Sequence, residues 1–184
     1  MLHRVVDGRV VASFGEAPVL QPGERRRQPY KLGRSTGRSF WSAAADRYQV
    51  ELWTVEGQLQ RRLVGERDWF DPPPHDAPPT TTLMNVWESD GLLWVLFHVR
   101  DPQAPGFDPR ENMDPFVSTD RAMDTVIEVI DPTDGSLVAA YRTEMQLNAP
   151  LMTTPGLVES RTQDDTGFVR LRIWELVLER PAGD

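Results

Sequence analysis

The side chains able to do chemistry are three histidines, 28 acids and six tryptophans, in a chain of 184 residues without cysteine. His3, His75 and His98 stand too far apart to read as a two-His metal motif. The missing cysteine removes disulfides, thiolate zinc sites and cysteine nucleophiles together. Asp108, Glu111, Asp114, Asp120 and Asp124 crowd into one stretch and offer the oxygen ligands calcium prefers. Their spacing lacks the EF-hand ladder and its central glycine, so no metal and no cofactor is assigned. Paired carboxylates also cleave glycosides, but among 28 acids a pair follows from abundance alone. Gly33-Arg34-Ser35-Thr36-Gly37 reads as glycines out of register for a Gly-x-Ser-x-Gly nucleophile elbow, and neither a Walker loop nor a dinucleotide glycine turn occurs. No catalytic residue is assigned.

Trp41, Trp53, Trp87, Trp94 and Trp174 fall within predicted strands, where packing between sheets accounts for them. Trp69 and Phe70 differ, because they adjoin a proline-rich run and read as displayed. The candidate ligand-binding set is therefore Trp69, Phe70, Asp114, Asp120, Arg121 and Asp124. His98 follows Phe97 in a strand and reads as a packed or rim residue. His75 reads as solvated.

Strands must carry these residues, because apolar positions alternate or cluster in short runs and Pro or Gly interrupts nearly every window long enough for three helical turns. Tyr48–Val55 is rich in β-formers and ends at Glu56-Gly57, after which Gln58–Val64 reads as its hairpin partner. Thr125–Ile130, the Asp131–Gly135 turn and Ser136–Arg142 repeat the arrangement. Val5-Val6-Asp7-Gly8-Arg9-Val10-Val11 repeats it again. A further strand precedes each internal hairpin, Ser39–Ala44 and Leu92–Val99, and Leu83–Glu88 with its Asp90-Gly91 turn adds an inner strand to the second unit. The matching inner segment of the first unit falls near Tyr30–Arg34. Gly156–Arg161, the Asp164–Gly167 turn and Phe168–Glu179 make a last unit that stops before an outer strand, whereas the amino-terminal segment supplies an outer strand, Arg9–Phe14. Pairing of these two ends is expected to close a ring and hide exposed edges.

The fold class is thus all-β, antiparallel and propeller-like, with about three blades and little helix. The expected division is a blade remnant over 1–15, a linker over 16–30, a blade over 31–65, a proline-rich loop over 66–81, a blade over 82–143 with an insert at 101–124, and a final blade over 146–180. Pro72-Pro73-Pro74 and Pro78-Pro79 cannot donate ladder hydrogen bonds, so that segment reads as a loop. The 101–124 insert exceeds the length of ordinary connections and is the leading carrier of activity.

A formal net charge of −8 argues against nucleic acid and anionic membrane surfaces as general partners, since polyanions are held through Lys and Arg. The longest apolar run, Leu92–Phe97, has the length of a buried strand and falls far short of the roughly 20 residues of a membrane span. Basic residues concentrate at the start: Met1–Arg38 holds eight Lys or Arg against three acids. Its Arg25-Arg26-Arg27 run reads as a solvated loop.

Val6-Asp7-Gly8-Arg9-Val10-Val11-Ala12-Ser13-Phe14-Gly15, with the corners at Glu56-Gly57 and Asp134-Gly135, resembles the repeats of six-bladed β-propellers of the NHL and TolB-like kind, as found in bacterial members. Six blades of about 40 to 50 residues need a far longer chain. The resemblance therefore implies a partial propeller, and either a fragment or a head-to-tail pair of half-rings. It also implies a parent that is periplasmic or extracytoplasmic, although this chain shows no signal peptide and the compartment stays open. The expected function is a binding or scaffolding module for a protein or small molecule, with a second copy as a candidate partner through open blade edges. The alternatives are a propeller-type hydrolase or lactonase using carboxylates, His98 and a divalent cation, and a fragment without independent function.

Overall fold

The computed structural model describes residues 2–14, 30–33, 37–44, 47–70, 81–101, 103, 123–149 and 156–179. Those residues are all-β and antiparallel, without a helix. A hairpin of β1 (Leu2–Val6) and β2 (Arg9–Phe14) comes first. A four-stranded sheet follows in the order β3 (Tyr30–Leu32), β4 (Ser39–Ala44), β5 (Gln49–Thr54) and β6 (Leu59–Val64). The second four-stranded sheet runs β7 (Thr81–Ser89), β8 (Leu92–Arg100), β9 (Met123–Ile130) and β10 (Leu137–Thr143). A three-stranded sheet of β11 (Leu147–Asn148), β12 (Leu157–Gln163) and β13 (Val169–Glu175) comes last. Each sheet is a simple meander, the propeller-like repeat expected from the sequence.

The corners explain the spacing. Asp7-Gly8 and Asp90-Gly91 make two-residue connections in which both residues have positive φ, 49° and 75° in one and 53° and 73° in the other. That geometry matches the twist of the flanking strands, and Asp and Gly tolerate it better than other residues. The longer corners are organised by carboxylates, and Asp134 takes the Ser136 amide at the first of them. Asp131 accepts from the Thr133 amide and hydroxyl, and Asp164 accepts from the Thr166 amide and hydroxyl and from the Phe168 amide. The Thr166 hydroxyl and the Phe168 amide hold the Asp164 carboxyl below the ordinary carboxylate range.

Two apolar seams join the sheets. Trp41, Val50, Leu83, Val86, Phe97 and Val126 belong to a core between the first and second four-stranded sheets, and Trp87, Trp94, Leu96, Ile127, Leu147 and Val158 to another between the second and the three-stranded sheet. Burial of each such side chain contributes about 1.5–3 kcal/mol. β8 and β9 face both seams with alternate residues, which is why they read as continuous apolar runs rather than as alternating ones. Among the described residues, the amino-terminal hairpin and β13 do not pair. Phe14 packs on Phe40 and Trp53, fastening the amino-terminal hairpin to the first sheet, while among the described residues nothing pairs with the outer edge of β13. The expected closure by joining the two ends is therefore not made within these residues.

Candidate functional site

Glu128 stands in the apolar run Val126-Ile127-Glu128-Val129-Ile130 and is 1% exposed, a position where an unpaired carboxylate is prohibitively costly. It is not unpaired. Arg67, just beyond β6, donates from Nε to Glu128 Oε1 at 2.7 Å, and the Tyr48 hydroxyl donates to Oε2. The Arg67 guanidinium lies 4.7 Å from the Tyr48 ring centroid, over its face. Burial, followed by the Glu128 carboxylate, pushes the Tyr48 hydroxyl well above its ordinary pKa.

Trp69 and Phe70 enclose this group. Trp69 meets Phe97 edge-on with centroids 5.0 Å apart, and Phe70 meets Tyr48 edge-on at 6.0 Å. Both are half-buried members of the first seam rather than freely displayed rings. A turn closed by the Phe70 amide on the Arg67 carbonyl bends the chain back onto the second sheet, which brings the two rings inward.

Asp124 sits beside the long connection, at the start of β9 and on the same face of that strand as Val126 and Glu128. It is 6% exposed and receives Arg142 Nε at 2.7 Å. His98 and Thr125 are cross-strand partners. Thr125 donates its hydroxyl to the Met145 carbonyl and accepts the Leu147 amide, both at 2.8 Å. His98 donates from Nε2 to the Leu147 carbonyl at 2.8 Å, and its Nδ1 accepts from the Gln146 amide at 3.3 Å. It is a packed residue that ties the second sheet to the third, with both ring nitrogens engaged.

Of the predicted ligand set, Trp69, Phe70 and Asp124 are placed, and all three flank the same face of the second sheet. Asp114, Asp120 and Arg121 lie outside the described residues, as do His75, the two proline runs and Arg25–Arg27. Tyr48, Arg67 and Glu128 were not among the sequence candidates. One signal pointed to them: a lone Glu inside an apolar strand must have a partner. The pentapeptide Gly33-Arg34-Ser35-Thr36-Gly37 matches Gly-x-Ser-x-Gly letter for letter. It joins two antiparallel strands, β3 and β4, whereas a nucleophile elbow leads from strand to helix. Among the described residues, no group of three or more His, Asp or Glu is placed to hold a metal ion, and no helix is long and apolar enough to cross a membrane. No protein-family model matches the chain, and no curated protein matches it.

Proposed function

We propose that the protein is a binding module of propeller-like blades that engages a protein or small-molecule ligand through the connection between β8 and β9. The contact region combines Asp114, Asp120 and Arg121 with Asp124 and the exposed parts of Trp69 and Phe70. The observation that supports this most is the rigidity of the strands that bracket the connection. β8 and β9 pair without a register break from Leu93↔Ile130 to Arg100↔Met123, and only Leu92, Arg100 and Met123 of the two strands escape burial. Binding residues work best on a segment whose ends are fixed by a stiff scaffold, since less ordering entropy is lost on contact. The buried acids support binding over catalysis as well: Glu51, Asp124, Glu128 and Glu159 each face an arginine.

The test replaces residues 103–122 with a short Gly-Ser turn and probes peptide and glycan arrays with both proteins. Because Arg100 and Met123 are already adjacent, the shortened chain keeps its stability within about 1 kcal/mol. Array signals of the intact chain disappear in it. Undiminished signals in the shortened chain refute the proposal.

A further inference from the structure

The third sheet differs from the other two in a way that specifies a partner. In both four-stranded sheets, the third strand carries an acid and the fourth an arginine that pairs with it. Glu51 of β5 faces Arg62 of β6 in register, with Arg62 Nε 2.7 Å from the carboxylate. Asp124 of β9 takes Arg142 of β10 at 2.6 Å. In the third sheet, β13 occupies the third position and its outer edge is unpaired among the described residues. Its charges are reversed. Arg170 and Arg172 alternate with Val169, Leu171 and Ile173, which are 49%, 53% and 53% exposed.

An open edge with solvent-facing apolar residues is a template for strand addition, and on β13 the face that holds Arg170 and Arg172 carries only positive charge, Glu175 standing on the other face at the strand's end. The sign selects the strand. A strand like β6 or β10 brings arginines opposite arginines, and so does an antiparallel second copy of β13 centred on Leu171, which sets Arg170 against Arg172. Like charges directly opposite destabilise a strand pair. The protein's own β2, with Arg9, offers no acid either. We infer that the free edge of β13 accepts, as its fourth strand, an extended segment of another polypeptide in which acidic residues alternate with apolar ones. Its main chain completes the ladder and its acids meet Arg170 and Arg172. This inference is independent of the site proposed at the β8–β9 connection.

The experiment uses two labelled seven-residue peptides, Thr-Glu-Val-Glu-Val-Glu-Thr and its Lys counterpart, titrated with the intact chain in low salt and followed by anisotropy. The Glu peptide binds tighter by about ten-fold, the scale of two exposed charge pairs turned from attraction to repulsion. High salt erodes the difference, and amide exchange slows along β13. R170E/R172E reverses the order of the two peptides, and R170Q/R172Q removes the preference. Both residues are exposed, so these variants keep the fold, and their circular dichroism spectra check this. Equal affinities, an order untouched by R170E/R172E, or slowed exchange anywhere but β13 overturns the inference. So does a chain that dimerises by sedimentation through β13, because the edge is then taken by a second copy.

Discussion

The Tyr48, Arg67 and Glu128 group makes a sharp prediction about coupling. Replacing Arg67 with Met keeps an apolar, polarisable stem over the Tyr48 ring but leaves Glu128 charged, with a side chain 1% exposed and only Tyr48 to solvate it. Removing one partner of a buried pair costs about 3 kcal/mol. For a chain of this size that lowers the melting temperature by about 6–12 °C. E128Q alone is milder, about 1–2 kcal/mol, because Arg67 is 22% exposed and can turn to water while the Gln carbonyl still accepts from Tyr48. The double variant R67M/E128Q holds no buried charge and is destabilised by only about 1–2 kcal/mol, less than R67M. Urea unfolding followed by tryptophan fluorescence measures all four proteins, with equal slopes required for comparison. A coupling of about 2–3 kcal/mol is expected, and costs that add to within about 0.5 kcal/mol refute the idea that Glu128 is charged and held by Arg67.

Two further outcomes follow from the same geometry. Tyr48 has its pKa raised by burial, so below about pH 10 the folded and unfolded chains both hold the proton and its contribution is intact. Above that, the unfolded chain alone releases it, and stability falls with rising pH; Y48F flattens this alkaline slope, and an unchanged slope in urea midpoints between pH 9 and 11 contradicts the burial. At the corners, Gly57 has φ +89° and a Cβ there meets the Phe14 ring at 2.7 Å, whereas Gly91, with φ +73°, has nothing within 4 Å. G91A therefore costs about 1 kcal/mol of backbone strain, and G57A costs more and loosens the amino-terminal hairpin, read as faster amide exchange in β1 and β2; equal costs and unchanged exchange count against the Phe14 contact.

The meander was legible in the chain because its corners are local. Asp7-Gly8 and Asp90-Gly91 need only their own backbone angles, and Ser39–Ala44 and Arg9–Phe14 form over the same residues as the sequence predicts. β11 was not legible: two residues cannot show a period, and Leu147 is held by Thr125 and His98 from another sheet. The orientation of Trp69 and Phe70 was misread for a related reason. Proximity to prolines suggested display, but a turn at Arg67 sends both rings onto Phe97, a contact between residues far apart in sequence. Arg67 carries no signal in its own neighbourhood, because its partner Glu128 stands on β9, 61 positions away. What the sequence withholds is the pairing of sheets, because that depends on the faces of strands meeting across distances no local pattern records.

The unbroken neighbour-to-neighbour order of the strands also bears on how the molecule comes together. Among the described residues every ladder joins strands consecutive along the chain, so apart from the long connection between β8 and β9 the sheets close through shorter loops, and closure entropy, which grows only slowly with loop length, stays small. During synthesis, each sheet can assemble once its last strand has left the ribosome, without waiting for the next. The bond between Tyr48 and Glu128 spans 80 positions and belongs to a later stage, when finished sheets dock. Speed of assembly is thus written into the order of the ribbons, and final stability into the few side chains that cross between them.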